Sequence, residues 1–427
     1  MKIEEIYQCF LQCESVSTDT RKIEPNSLFV ALKGENFDAN TFAQEALNKG
    51  AQFVIIDNKN YYTDENKMLL VSDSLKTLQE LAKYHRQQLG LPIIALTGSN
   101  GKTTTKELIN CVLSKNYNTK ATIGNLNNHI GVPLTLLSFK EDTDIGIVEM
   151  GANHQKEIEF LCSIAEPDFG YITNFGKAHL EGFGGFEGVI KGKSELYNYL
   201  IHNNKTVFVN TDDTLQDEKT VNSNRYTFAL EKKSDIKIDD ITASPMVKIN
   251  FNNQTIQSHL IGIYNANNIN AAIAIGKYFN ISDENIKEAI ENYIPTNNRS
   301  QLIEKNSNHI ILDAYNANPS SMNAAIINFI QLENTDKIAV LGDMFELGDD
   351  SLSEHKKIVE SLKNKTQTEV FFVGKDFYHN KTEDKHLHFS EVYENFVEKF
   401  KELDLKNKTI LIKGSRGMAL ERVLEII

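Results

Sequence analysis

The run Gly98-Ser99-Asn100-Gly101-Lys102-Thr103-Thr104 constrains this chain more than any other feature. It lies between an apolar stretch, Ile93 to Leu96, and a helix-period stretch from about Lys102 to Leu113. A glycine-bent turn between strand and helix lets consecutive backbone N–H groups face phosphate oxygens. The helix N-terminus adds a field that favours negative charge. Lys102 can then reach β- and γ-phosphates, and the Thr103 hydroxyl can bind Mg2+. The spelling departs from the common phosphate loop, because the leading glycine lies three residues before Gly101 rather than five. Such a loop needs a strand that ends at it and a helix that leaves it, so strands and helices should alternate on either side.

They do alternate. Phe53 to Ile56 reads as a strand, and Ser74 to Leu89 as a helix with Leu75, Leu78, Leu81 and Ala82 on one stripe. Gly90-Leu91-Pro92 breaks the chain before the strand at Ile93. Beyond the loop follow strand Ile145 to Val148, helix about His154 to Ser163, strand Phe169 to Thr173, helix about Phe186 to Ile201 and strand Thr206 to Val209. This rhythm predicts a parallel sheet covered on both faces. From Arg225 to Leu260 short alternating segments predict antiparallel strands at the sheet edge, followed by a helix, about Asn265 to Phe279. Past Arg299 the rhythm restarts, with strands at Ile310, Ile338, Val370 and Ile410 and helices at Ser320, Ser353 and Val392. The expected fold class is α/β with three domains. A smaller N-terminal α/β domain spans 1–90. A central domain, 91–298, holds the phosphate loop in a mostly parallel sheet with helices on both faces. A C-terminal Rossmann-like α/β domain spans 299–427.

Charge narrows the partners. Lys+Arg number 45 against 58 Asp+Glu, a formal net charge of −13. A chain this acidic is not expected to coat nucleic acid or an anionic membrane. Any phosphate must be held by a few placed cations and backbone N–H groups. The start, Met1 to Ile6, is acidic and carries no apolar signal stretch, and no apolar run approaches the roughly 20 residues of a membrane span. Cys9, Cys13, Cys111 and Cys162 are too scattered for a disulfide framework, so a reducing cytoplasm is expected.

Other residues suggest chemistry by position. Glu149 ends a strand beside the phosphate loop, where Mg2+ needs an oxygen ligand; the plainer alternative is a strand-end carboxylate facing water. Asn174 to Gly184, rich in glycine, follows the next strand and contains His179. Lys191 and Lys193 read equally as solvated helix lysines. Tyr264 to Ala272 opens a helix, and its asparagines can cap it or bind a base edge. Asp313 precedes a helix and is also a good cap. Leu341 to Gly348 and Lys413-Gly414-Ser415-Arg416-Gly417 follow strands, and basic residues at strand ends suit an anionic substrate.

The stretch Thr97 to Thr105 resembles the loop of the Mur ligase family, ATP-dependent amide ligases that include folylpolyglutamate synthases. Gly124 to Leu137, Glu149-Met150-Gly151, Asp313 to Ser320 and Leu341 to Gly348 resemble further family motifs, in order. The resemblance implies ATP held by Gly98, Ser99, Asn100, Gly101, Lys102, Thr103 and Thr104, with Asn268 on adenine, Arg299 on phosphate charge and Asp313 on ribose. It implies two Mg2+ ions, with Thr103 and Glu149 at the first and His179 at the second. Lys193, fourteen residues after His179, would be carbamylated and assist the second ion. Lys102, Glu149, His179 and Lys193 form the implied catalytic set. Thr18, Asp19 and Arg21 fall in the implied uridine-diphosphate region, and Asn316, Lys413, Ser415 and Arg416 in the implied acceptor region. The implied substrates are UDP-N-acetylmuramoyl-tripeptide and D-alanyl-D-alanine, joined through an acyl phosphate in a bacterial cytoplasm by a monomer whose outer domains close on the central one. Two departures stand out: Ala39-Asn40, where relatives usually have Gly-His after the Asp, and His129, where Glu is commoner. The alternatives are a relative that adds a single amino acid, a non-ligating nucleotide switch and a catalytically silent relative.

Overall fold

Ile93–Thr97 is buried along its whole length, as a strand covered on both faces must be. A computed structural model describes residues 1–296, 298–333, 336–363 and 368–427. Ile93–Thr97 lies in a seven-stranded sheet in the order Ile236–Lys237, Arg225–Ala229, Thr206–Asn210, Phe169–Ile172, Ile93–Thr97, Ile145–Glu149, Thr119–Ala121. Every pair in it is parallel. The chain leaves Ile93–Thr97 toward one side of the sheet and later crosses to the other. The carboxyl ends of Ile145–Glu149, Ile93–Thr97 and Phe169–Ile172 therefore flank the crevice where ligands of open parallel sheets bind.

The expectation of antiparallel strands at the sheet edge is corrected. Arg225–Ala229 and Ile236–Lys237 extend the large sheet in parallel. The antiparallel strands Asp240–Ala243, Met246–Phe251 and Gln254–Ile261 form a separate three-stranded sheet. Alternation in the sequence reported a half-covered face correctly but could not say which sheet the strands join.

The N-terminal sheet holds Ser15–Ser17, Ser27–Val30, Phe53–Ile56 and Met68–Leu70, all parallel. Helix Ser74–Leu89 starts where the Asp73 side chain accepts from Lys76 N, and stops at Gly90 with φ 61°. Its stripe of Leu78, Leu81 and Ala82 is wholly buried, in a core shared with Leu136, Phe139 and Leu161 of the central domain. Each leucine contributes about 1.5–3 kcal/mol by leaving water. Arg86 reinforces the seam, donating to Ala165 O at 3.1 Å and Asp168 Oδ2 at 2.9 Å. The C-terminal sheet runs Gln301–Lys305, Asn308–Asp313, Thr409–Lys413, Lys337–Gly342, Glu369–Val373, Leu387–Ser390, with only the first strand antiparallel. Its strand ends bring Asp313, Asp343 and Lys413 to one edge.

Candidate active site

Two glycines of the phosphate loop are required by geometry. Gly98 has φ 143°, and a Cβ there would lie 2.0 Å from Thr173 Oγ1. Gly101 has φ 79°, and its Cβ would lie 2.5 Å from Asn268 Oδ1. The loop is pinned by the strand beside it. Thr173 Oγ1 donates to Asn100 O at 2.6 Å, Ser99 N to Asn174 O at 3.1 Å, and Ser99 Oγ to Gly176 O at 2.7 Å. Helix Lys102–Leu113 follows directly, so its N-terminus faces the loop. Lys102 Nζ donates to Gly98 O at 2.8 Å, and burial lowers the pKa of its ammonium despite the opposing pull of Glu149.

Glu149 is 1 % exposed, which excludes the water-facing alternative. Its carboxylate accepts from Thr103 Oγ1 at 2.9 Å and Asn127 Nδ2 at 2.8 Å, and its N–H donates to Thr122 Oγ1 at 3.0 Å. Both side-chain donors are neutral, so no hydrogen-bonded cation occupies the carboxylate, although Lys102 is near enough to feel its charge. Hydroxyl and carboxylate oxygens suit a hard ion such as Mg2+. Among the described residues no group of three or more His, Cys, Asp or Glu side chains gathers to cage a metal. The protein oxygens thus fit an ion whose remaining ligands are substrate phosphates and water, the usual way Mg2+ is held beside a nucleotide.

His179 lies in the left-handed region, φ 52°, and its Nδ1 meets the Glu346 carboxylate from the C-terminal domain. That contact lowers the Glu346 pKa. Lys193 is 1 % exposed, unlike its exposed neighbour Lys191. Lys193 Nζ donates to Ala152 O at 3.1 Å and sits 5.0 Å from the Phe183 ring centre. Burial first, and then the charge of Lys102, hold its pKa well below the ordinary lysine value.

The phosphate loop, Glu149 and His179 border a cavity of about 1200 Å³ to which all three domains contribute lining residues. The phosphate loop, Glu149, His179 and Asn268 line it from the centre, Leu75 and Gln79 from the N-terminal side, and Arg299, Asp313, Tyr315, Asn316 and Lys413 from the C-terminal side. Arg299 lies 3.6 Å from the Tyr315 ring centre, and its buried Nε has no hydrogen-bond partner. Asp313 accepts from Ser300 N at 3.1 Å and Lys413 Nζ at 2.5 Å. Asn268 is buried, accepting from Thr105 Oγ1 at 3.0 Å and donating to Asn265 Oδ1 at 2.8 Å. Ser415 lies behind this wall, where its Oγ accepts from Phe345 N at 2.8 Å. Thr18, Asp19, Arg21, Lys193 and Arg416 do not line the cavity. Asp19 is engaged with Arg21 at 2.8 Å and Arg416 with Glu421 at 3.4 Å.

Sequence reasoning did not single out several contributors. Asn127 steadies Glu149, Asn318 Nδ2 donates to Asn100 Oδ1 at 2.7 Å, and Lys177 N donates to Ser320 Oγ at 2.9 Å. Each lies in a motif quoted above, but partners 22, 143 and 218 residues away leave no local pattern.

Comparisons with known proteins cover nearly the whole chain. Residues 12–86 match the family description "Mur ligase family, catalytic domain", 96–276 "Mur ligase middle domain" and 298–416 "Mur ligase, glutamate ligase domain". A Bacillus subtilis protein named UDP-N-acetylmuramoyl-tripeptide–D-alanyl-D-alanine ligase is 37% identical, covering 96% of this chain and 92% of its own. The Escherichia coli protein of that name is 34% identical, covering 99% and 95%. A crystal structure of MurF from Acinetobacter baumannii superposes with a TM-score of 0.88 at 30% identity, covering 99% and 97%. MurF ligase from Thermotoga maritima, solved in complex with ADP, gives 0.84 at 28%, covering 98% and 97%. With sequence, fold and all three segments in agreement, the chain belongs to the Mur ligase family.

Proposed function

We propose that this ATP-dependent ligase joins D-alanyl-D-alanine to a UDP-N-acetylmuramoyl-tripeptide, releasing ADP and inorganic phosphate. The observation that carries the reading is the end-to-end match to ligases of that name, 37% identical over 96% of the chain. The cavity suits the chemistry. A carboxylate oxygen of the tripeptide attacks the ATP γ-phosphorus, forming an O–P bond as ADP leaves. The dipeptide amine then attacks the acyl carbon and gives up a proton, and the tetrahedral intermediate expels phosphate. Bringing two anions to 4 Å costs about 4 kcal/mol per unit pair at an effective dielectric of 20. Lys102, Arg299 and the helix N-terminus offset part of that cost, and the rest of the work is positioning.

Two Mg2+ ions belong to this reading. Thr103 and Glu149 would hold one and His179 the other, and when bound the ions neutralise phosphate charge. Lys193 would carry a carbamate: burial favours its neutral amine, the form that adds CO2. Gly98 to Thr104 would hold the triphosphate, Asn268 the base and Asp313 the ribose. Asn316, Lys413, Ser415 and Arg416 would serve the acceptor, and Thr18, Asp19 and Arg21 the uridine diphosphate. In this assignment residues 1–90 bind the sugar nucleotide, 91–298 bind ATP, and 299–427 bind the dipeptide and close over the nucleotide. A cytoplasmic monomer is part of the proposal. On location, no helix among the described residues is long and apolar enough to cross a membrane, and all four cysteines are free.

The test is purified protein with ATP, Mg2+, D-alanyl-D-alanine and, in turn, the lysine- and diaminopimelate-containing tripeptides, with product mass measured. A product heavier than the donor by one dipeptide residue pair supports the reading. Phosphate release that ignores both donor and dipeptide would identify a nucleotide switch instead.

A further inference from the structure

The His179–Glu346 contact joins two segments that otherwise belong to different sheets. His179 precedes the short helix Leu180–Phe183 of the central domain. Glu346 stands on the loop after strand Lys337–Gly342 of the C-terminal sheet. Its backbone has φ 62°, an uncommon conformation for a residue with a Cβ, and is kept there by what holds the loop. Met344 N donates to buried His355 Nε2 at 2.9 Å, and Phe345 N to Ser415 Oγ at 2.8 Å. Asp343, just before them, accepts from Phe377 N at 3.0 Å and Asp376 N at 3.1 Å. So anchored, the loop directs the half-exposed Glu346 carboxylate at His179 Nδ1.

An oxygen lone pair against Nδ1 requires hydrogen on Nδ1. Nδ1 is buried and, although it meets the Glu346 carboxylate, lies off the angle of a formed hydrogen bond and has no other partner among the described residues; the residue lines the cavity, and turning Nδ1–H onto Glu346 would leave Nε2 for a ligand there. A neutral imidazole with Nδ1–H has its lone pair on Nε2. A carboxylate on the far nitrogen is the usual device for fixing a metal-binding histidine's tautomer and ring orientation. Here the carboxylate comes from a different domain than the histidine. We infer that Glu346 is a positioning residue: it sets the tautomer and aim of His179 as a divalent-cation ligand, and does so only when the C-terminal domain is seated on the central one. The inference rests on the proposed reading of His179 as a metal ligand. It adds that this ligand is completed by domain closure.

The experiment titrates Mn2+, followed by electron paramagnetic resonance, into the enzyme holding a non-hydrolysable ATP analogue and the donor tripeptide. Native protein, Glu346→Ala, Glu346→Gln and His179→Ala are compared, with thermal midpoint and nucleotide affinity measured alongside. The expected result is a second Mn2+ bound about tenfold to a hundredfold more weakly in Glu346→Ala. Midpoint and nucleotide affinity should stay unchanged, and affinity should partly return in Glu346→Gln, whose carbonyl oxygen still accepts from Nδ1–H. If His179→Ala loses the second ion while Glu346→Ala keeps native affinity, the positioning role is wrong and the ligand reading stands. If neither variant changes Mn2+ binding, the ligand reading falls and takes the inference with it. A uniform loss of midpoint and of every affinity in Glu346→Ala would make Glu346 merely structural and overturn the inference.

Discussion

Lys102 is half-buried against its own loop, and the Glu149 carboxylate whose charge it feels keeps its hydrogen bonds from Thr103 and Asn127 when the lysine is removed. Lys102→Ala should therefore fold normally, by circular dichroism, yet lose turnover by about a thousandfold or more, as when a preorganised charge-stabilising donor is deleted. Near-native turnover would contradict the phosphate-loop assignment. Gly98 makes a different demand. With φ 143° and a Cβ 2.0 Å from Thr173 Oγ1, Gly98→Ala must shift the loop away from the neighbouring strand, and nucleotide affinity should fall at least tenfold by calorimetry. Lys193→Ala should lose activity that short carboxylic acids partly restore, because the acid supplies the oxygen atoms a carbamate would carry. Absence of rescue in a folded variant counts against carbamylation. At this scale the sequence was most legible where chemistry is local. Gly98 to Thr104 announced itself, since the glycines, lysine and threonine act on one ligand from one turn. Asn127, Asn318 and Glu346 were not legible, because each acts through a residue brought near only by the fold.

Helix Ser74–Leu89 shows how an element can be read from its ends. Asp73 caps it, Gly90 stops it, and the apolar stripe names its buried face, so sequence and structure agree on its limits. The strand Thr119–Ala121 and the helix Asp283–Glu291 were not anticipated. The first is three residues long at the sheet edge, and the second is polar in composition and held mainly by Ile286, Ala289 and Ile290. His85 gives the long helix a pH dependence. It is buried, contacts Tyr7 Oη at 3.2 Å through Nδ1 and Phe139 O at 2.9 Å through Nε2, and burial depresses its pKa below 6.5. The unfolded chain binds the proton more readily than the folded one. The stability linked to His85 is thus fully present above pH 6.5 and is lost as pH falls toward the folded value. Urea midpoints measured from pH 7.5 to 5 should decline in the native protein and decline less in His85→Leu. Equal slopes would remove His85 as the cause.

Residues of all three domains line one cavity, and polar contacts join the central and C-terminal domains beside an apolar cluster that runs through Leu180, Phe183, Met344 and Leu347. Besides His179 with Glu346 and Asn318 with Asn100, Lys177 Nζ pairs with Glu354 at 2.8 Å. A partly exposed ion pair of this kind contributes about 0–1 kcal/mol, so it adds little to holding the two domains together. Such a seam suits an enzyme that admits three substrates and then excludes water from an acyl phosphate. The radius of gyration by small-angle scattering should fall when an ATP analogue and donor are added, and an unchanged value would contradict closure. The three-domain α/β plan was legible because βα rhythm reports sheet class. How the domains face one another was not, since periodicity names a buried face but not the partner that covers it. The central claim, that an acid group is activated by transfer of the γ-phosphoryl group, has a direct test. With oxygen-18 in the donor carboxyl group, a single turnover should place the label in the released inorganic phosphate. Phosphate free of label, alongside normal amide product, would contradict the mechanism.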